Sequence, residues 1–501
     1  MSILRKKKKN KENLDLIVDL NDKKQKGNRS STTSNRNTEF ALVTYFFVIL
    51  FLAMIIYFAY FMYAKSETVI NSSYNKRTDS FSEKIVRGSI LASDGSILAE
   101  TKTDSNGNES RSYPYGKTTA HVVGYTIQGM SGIESFANFY MLRSHAPLFE
   151  RIAGELTGNK NAGDNIVTTL NIDAQQAAYD ALGSYDGAVV VIQPSTGKII
   201  AMVSKPTFDP NTLSADWESI TSDSDSSVLL NRATQGLYPP GSIFKVFTTT
   251  EYMREHSKVK GYSFDCTGSF TYGSETIHCY GNTAHGSLDL KKSFAKSCNS
   301  SFANIGLTLN LSSFKSLMED ALFNCELPTS FEYKQSTFSL DKNASDGEIM
   351  QTAIGQGNTL VTPFHMALIA AAIDNGGELM TPYVIDHIEN TNGVEVKNFS
   401  PSSYCTIFSK HESDVLKTYM EYTVTKGTAS ALSGQSYTAG GKTGSAEYSN
   451  STKNTHSWFI GYASKEGYED IAIAVIAEEG GSGSSVAVPI AKKVFDAYFS
   501  H

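Results

Sequence analysis

Residues 40–64, FALVTYFFVILFLAMIIYFAYFMYA, carry no charged side chain. An apolar run of that length crosses the hydrocarbon core of a bilayer with some tilt, so it predicts a transmembrane helix. The Lys-, Asn- and Ser-rich residues 1–39 lack the apolar content to build a core and are expected to be mostly disordered. Eleven Lys and Arg precede the span, five of them in residues 5–9. Positive charge is retained on the cytoplasmic side, which places the N-terminus there and residues from Lys65 onward outside. The run is too long for a signal peptide, and no small-x-small cleavage site follows it, so the anchor is expected to stay.

After a stalk at residues 65–83, alternating apolar and polar positions set in. Residues 87–100 (RGSILASDGSILAE) hold two alternating runs about Asp94-Gly95, which predicts a hairpin. Glycine- and aromatic-rich sequence follows to residue 148 without a constellation that suggests chemistry. Residues 65–163 are therefore read as a small, β-rich, non-catalytic module.

From residue 164 the pattern changes again. Residues 165–170 read as a strand and 173–182 as a helix with Asp173 placed to cap it. Two buried strands follow at 187–193 and 197–204, joined by Pro194-Ser-Thr-Gly197. Near the other end, 437–447, 456–463 and 470–478 read as three more strands, and 486–499 as a closing helix. The sequence between reads as largely helical, including 363–374, stopped by Asn375-Gly376-Gly377. Two early and three late strands make one five-stranded antiparallel sheet flanked by helices, an α/β (α+β) architecture for residues 164–501.

Charge narrows the partners. The net charge is −7, yet residues 1–39 hold 11 of the 44 Lys and Arg and only 5 of the 51 Asp and Glu. The rest of the chain is acid-rich, which excludes nucleic acid as a partner and leaves the basic end to orient the span and meet anionic lipid.

The candidate chemistry begins at residues 237–245 (LYPPGSIFK). Pro239, Pro240 and Gly241 stop what precedes them, and the helix predicted to follow carries Ser242 and Lys245 three residues apart on one face. That spacing lets an amine reach a serine hydroxyl, as a nucleophile without a histidine base requires. Unpaired N–H groups at the helix start favour an oxyanion nearby. The spacing alone is weak, since Ser195/Lys198, Ser293/Lys296 and Ser312/Lys315 repeat it. What singles out this copy is the company it keeps in order: Ser297-Cys298-Asn299, then Lys442-Thr443-Gly444-Ser445 opening a strand.

Ser-x-x-Lys, Ser-Asp-Asn and Lys-Thr-Gly form the set shared by penicillin-binding proteins and class A β-lactamases, and here the middle element is Ser297-Cys298-Asn299. With this trio the chain resembles a class B penicillin-binding protein, and its compact N-terminal module looks most like the short, A-type members. Arg87-Gly88 through Asp94-Gly95, Gly355-Gln356-Gly357 with Pro363, Gly427-Thr428 and residues 456–461 (HSWFIG) extend the resemblance over roughly 85–500. It implies a D,D-transpeptidase that is acylated on Ser242 by a D-Ala-D-Ala stem peptide, passes the acyl group to an amine, and is blocked covalently by β-lactams. Lys245 would take the Ser242 proton, its pKa lowered by desolvation and by Lys442 nearby. Ser297 would relay the proton, Asn299 would hold a substrate peptide group, and a Thr443 or Ser445 hydroxyl would meet the substrate carboxylate. Gly444 would make room for substrate backbone, and the Ser242 and Ser445 N–H groups would form the oxyanion hole. The chemistry needs no cofactor. The region between span and catalytic domain is too short for a glycosyltransferase, so strand polymerisation falls to a partner, expected to be polytopic in the same membrane. A β-lactam sensor or a serine hydrolase of the same fold (D,D-carboxypeptidase or β-lactamase) is the alternative. The short tail speaks against the first, and the lack of an assignable water-activating Glu against the second. His456 and Trp458 are read as sheet packing.

All five cysteines, Cys266, Cys279, Cys298, Cys325 and Cys405, follow the span, where disulfides form. Cys266–Cys279 is one candidate pair. Cys266, Cys279, His285 and Cys298 also make a donor set suited to a closed tetrahedral zinc site, as some elongation-type relatives suggest.

Overall fold

The computed structural model describes residues 33–62, 82–256, 261–447 and 455–500. The tail before Thr33, Ala64 and stalk residues 65–81 lie outside them. Two units are described. The first holds the helix Thr33–Tyr60, which begins seven residues ahead of the expected apolar run. Its segment Thr38–Tyr60 is, among the described residues, the one helix long and apolar enough to cross a membrane.

The second unit is built on the expected five-stranded antiparallel sheet, in the order Thr438–Glu447, Thr455–Ser464, Ile471–Ala477, Gly187–Ile192, Ile199–Lys205. Its two central strands, Ile471–Ala477 and Gly187–Ile192, are apolar at every position because both faces are covered. Side chains still alternate. Val189, Val191, Ile473 and Val475 join a core under helices Ile172–Leu182 and Ala487–Tyr498, whereas Ala188, Val190, Ala474 and Ile476 meet the buried helix Pro363–Asp374 and the inserted block. The first of these helices is capped by Asn171, whose side chain accepts from Ala174 N, and not by Asp173, which lies in the first turn.

The insert is less uniformly helical than expected. It contains the hairpins Ser269–Tyr272/Glu275–His278 and Ile385–Glu389/Glu395–Asn398. The second hairpin extends another sheet, of six strands, with Asn165–Thr168, Ile90–Leu91, Ile97–Thr103 and Glu109–Ser112. The expected turn at Asp94-Gly95 is present, with Gly95 at φ 84°. The N-terminal strands are accompanied by short helices, the longest being Leu148–Thr157. Behind the strands, Arg87 and Arg111 both pair with buried Glu134, each through Nε at 2.7 Å.

Candidate active site

Residues Gly241–Phe244 form a single 3-10 turn that runs into the helix Lys245–Glu255. Gly241 has φ 54°, a left-handed conformation that favours glycine. The turn is held from three sides. Gly241 N donates to Gly355 O at 2.8 Å, and a Cβ on Gly355 would lie 1.9 Å from Gly241 O. The Trp458 indole N–H donates to Pro239 O at 3.1 Å. Gln356, with its amide turned to satisfy both groups, brackets Glu447 at 3.1 and 3.2 Å. The Gly-Gln-Gly stretch thus locks the serine turn to the end of the Lys442 strand.

The three signatures converge. Lys245 Nζ lies 3.0 Å from Ser242 Oγ, 2.9 Å from Ser297 O, 3.3 Å from Ser297 Oγ and 2.7 Å from Asn299 Oδ1. Lys442 Nζ lies 2.9 Å from Ser297 Oγ and 2.9 Å from Thr443 O. Ser297 adopts φ 55°, strained for a non-glycine residue, and so offers both its carbonyl and its hydroxyl to the amines. Asn299 starts the helix Asn299–Gly306, and its Nδ2 donates to His278 O at 3.0 Å.

Both lysines are fully buried. Burial brings Lys245 down to about 7, partly opposed by the Cys298 and Cys279 sulfurs. The repulsion expected from Lys442 falls instead on Lys442 itself, held well below the ordinary lysine range by burial and then by Lys245. Aromatic rings stand in for water, with Lys245 Nζ 5.3 Å from the Phe302 centroid and Lys442 Nζ 5.7 Å from that of Phe294.

The Lys442 strand is the outer strand of its sheet, and among the described residues no strand pairs with it opposite Thr455–Ser464, the side on which an extended peptide adds to a sheet. Gly444 has a different reason from the one expected. A Cβ there would meet Trp458 Cβ at 3.0 Å, Ile243 Cγ2 at 3.1 Å and Pro240 O at 3.1 Å, so the glycine lets the strand pack on the serine turn. Ser445 Oγ accepts from Gly483 N at 3.3 Å. Thr443 Oγ1 is hydrogen-bonded to Thr428 Oγ1, and Thr428 N donates to Ala295 O at 3.2 Å. Phe294 and Phe302 are members of the site that the sequence did not single out, and Thr428 was named there without a role.

The second donor set also assembles. Cys266, Cys279, His285 and Cys298 place their ligand atoms within 4.8 Å of one another. Cys266 Sγ is 3.6 Å from Cys279 Sγ and 3.4 Å from His285 Nδ1, and Cys279 Sγ is 3.7 Å from Cys298 Sγ. These sulfurs are free thiols, and the Cys266–Cys279 disulfide alternative is not formed. A tetrahedron with Zn–S bonds of about 2.3 Å has S–S edges of about 3.8 Å, so the spacing fits zinc. A hydrogen bond from Cys298 holds Cys279 down toward the thiolate a metal requires and pushes Cys298 up.

A serine turn, two uncharged-leaning amines and an open strand edge on this sheet define a class of acyl-transfer protein. Residues 187–496 match the penicillin binding protein transpeptidase domain and 87–166 the penicillin binding protein A dimerisation domain. The chain belongs to the penicillin-binding protein transpeptidase family. Among its relatives, the peptidoglycan D,D-transpeptidase PbpA of Mycolicibacterium smegmatis is 31% identical over 438 residues, 81% of this chain and 87% of that one. Penicillin-binding protein A from M. tuberculosis, solved as its penicillin G acyl-enzyme complex, is 28% identical with a TM-score of 0.74, covering 82% of this chain and 99% of that one. The D,D-transpeptidase domain of a peptidoglycan glycosyltransferase from Eggerthella lenta is 29% identical with a TM-score of 0.74, covering 83% and 100%.

Proposed function

We propose that this chain is a peptidoglycan D,D-transpeptidase that cross-links stem peptides through an acyl-enzyme on Ser242, and that β-lactams inhibit it by acylating the same hydroxyl. The observation that carries the reading is the continuous polar path from Ser242 Oγ through Lys245 Nζ and Ser297 Oγ to Lys442 Nζ, beside the open edge of the sheet.

Ser242 Oγ attacks the carbonyl carbon of the penultimate D-alanine while its proton passes to the uncharged Lys245 amine. The Ser242 and Ser445 N–H groups stabilise the oxyanion. When the C–N bond breaks, the proton travels from Lys245 by way of Ser297 to the nitrogen of the departing D-alanine. An amine of a neighbouring strand then attacks the ester carbonyl, its proton is taken by Lys245, and the breaking C–O bond returns that proton to Ser242 Oγ. The Thr443 and Ser445 hydroxyls hold the terminal carboxylate. Asn299 has two tasks, Oδ1 fixing Lys245 and the Nδ2 hydrogen that His278 O does not take donating to the substrate peptide.

The proposal places the N-terminus in the cytoplasm and the catalytic unit outside, with a polytopic membrane glycosyltransferase as the source of glycan strands. Externally added protease should remove the catalytic unit from intact spheroplasts. It also includes one structural zinc on Cys266, Cys279, His285 and Cys298. The metal would cross-link the 264–288 region to the residue between Ser297 and Asn299 and would take no part in acyl transfer. Metal analysis of the purified protein should find one zinc per chain. A metal-free protein with Cys266 oxidised to Cys279 would end that part.

The test of the main reading is labelling with a fluorescent penicillin, where Ser242→Ala should abolish the signal and equal labelling would remove Ser242 as nucleophile. With a stem-peptide donor and an amine acceptor, the cross-linked product should form. Free acid alone would identify a hydrolase.

A further inference from the structure

The outer edge of the Lys442 strand has no partner strand among the described residues, yet part of it is already taken. Glu447 lies opposite Thr455 in the ladder. Thr455 O accepts from Gly481 N at 2.9 Å, and Glu447 N and O are both engaged by the Gln356 side chain, so these two residues do not bond to each other. Bonded and unbonded pairs alternate along an antiparallel ladder, and the register here runs unbroken from Thr438 to Glu447. Lys442, Gly444 and Ala446 therefore bond to Ile460, Trp458 and His456, while Thr443, Ser445 and Glu447 turn their N–H and C=O groups outward.

Two of these three outward residues are occupied. Lys442 Nζ lies 2.9 Å from Thr443 O. At Glu447 the Gln356 amide does what a residue of a neighbouring strand would do, its oxygen accepting from Glu447 N at 3.1 Å and its nitrogen donating to Glu447 O at 3.2 Å. Between them Ser445 N and O make no hydrogen bond among the described residues. Gln356 is itself held in place, its N donating to Gln351 O at 2.9 Å and the preceding Gly355 O accepting from Gly241 N at 2.8 Å.

We propose that Gln356 is a specificity-determining residue for the donor peptide, because it limits the backbone-paired subsite to one residue. The inference rests on the transpeptidase reading, in which the scissile carbonyl meets Ser445 N–H and the terminal carboxylate meets Thr443, so the donor runs antiparallel to the strand. The penultimate D-alanine then exchanges both its hydrogen bonds with Ser445. The next exchange in that register falls two residues upstream, opposite Glu447, where Gln356 already stands. The donor chain leaves the sheet at that point. A branch or a non-α linkage two residues upstream costs it no hydrogen bond, and an extended polypeptide gains none by its length, so the edge is closed to general strand addition.

The experiment uses the full-length protein, glycinamide as acceptor, and kcat/KM from initial rates of D-alanine release. Three probes are compared: acetyl-Gly-(Nε-acetyl)Lys-D-Ala-D-Ala, the same peptide with N-methylglycine for glycine, and the same peptide N-methylated at the penultimate D-alanine. The unaltered protein should use the first two within about twofold of each other and lose about tenfold or more on the third. In Gln356→Ala the first probe should outrun the second by about fivefold, since its glycine N–H now reaches Glu447 O. Each ratio is taken within one protein, so a loss of activity common to all probes cancels. A several-fold loss on the second probe in the unaltered protein overturns the proposal, as do equal rates on the first two in Gln356→Ala or an unimpaired third probe. If Gln356→Ala takes up no fluorescent penicillin, Gln356→Asn, one methylene short of the strand, carries the same expectation. Protein that takes up penicillin but releases no D-alanine from the first probe overturns the transpeptidase reading and this inference with it.

Discussion

An ammonium taken out of water cannot hold its proton as it would in solvent, and burial, with the Phe302 ring 5.3 Å from Nζ, does this to Lys245. With Lys245 lowered to about 7, acylation by a soluble penicillin should rise with pH through about 7 and then level, because only the uncharged amine accepts the Ser242 proton. Stopped-flow acylation rates check this. Lys245→Arg should lose about 10²- to 10⁴-fold and with it the rise near 7, since a guanidinium stays charged throughout. A mutant that kept the midpoint would move the titration to another group. Thr428→Val should raise KM for a carboxylate-bearing substrate by about tenfold with little change in kcat, because it removes the hydroxyl that orients Thr443, and Thr428→Ser should restore it. Ser242, Lys245, Ser297, Asn299 and Lys442 were legible in the sequence because each sits in a short signature with its own spacing. The roles of Thr428 and the two phenylalanines were not, since these residues reach the site from the end of one helix and the interior of two others. The inward direction of Gly444 was hidden as well, because a strand reads the same from either face until its neighbour is known.

Elements were legible to the extent that their periodicity was long. The strands Gly187–Ile192 and Ile471–Ala477 announce themselves as unbroken apolar runs, and the structure gives the reason, a core on each face. The Ile385–Asn398 hairpin did not, although Asn392-Gly393 supplies a turn signal, because IDHIE and EVKN are too short and polar to display alternation. Asp173 attracted the cap assignment by its charge, while Asn171, two residues earlier and extended, holds the geometry that capping needs. At this scale the serine turn depends on a glycine from another element. Gly355→Ala should cost at least about 1–3 kcal/mol from φ 83° alone and displace Gly241, so penicillin labelling should fall further than the melting temperature suggests. The cysteine set tells a similar story, since its donors come from separate strands and loops and only folding brings them within one sphere. For the zinc site proposed above, Cys279→Ser should abolish zinc binding in metal analysis and lower the melting temperature.

Across the whole molecule, the six-stranded sheet joins strands from residues 90–112 to others at 165–168 and 385–398, so the N-terminal region is built into the body of the protein. Arg87, Glu134 and Arg111 fasten the N-terminal region to itself in a buried place, with Arg87 Nη2 also donating to Glu134 O at 2.7 Å and Arg111 Nη1 to Gly88 O at 2.8 Å. Glu134→Ala leaves two buried guanidinium groups without their carboxylate and should cost about 3–5 kcal/mol, read as a fall in the melting temperature of the full chain. Shifts in composition suggested a boundary near residue 164, whereas the six-stranded sheet runs across it, because pairings between residues so far apart leave no local trace. The strand order of the catalytic sheet also has a consequence for how the protein is made. Its middle member, Ile471–Ala477, is the last strand to leave the ribosome, and both flanking hairpins must wait for it with uncovered edges. At about 5–20 residues per second a nascent chain holds Gly187–Lys205 in that unfinished condition for on the order of tens of seconds. Competence to react with penicillin should therefore arrive abruptly, once Ile471–Ala477 has emerged, and not accumulate as the chain lengthens.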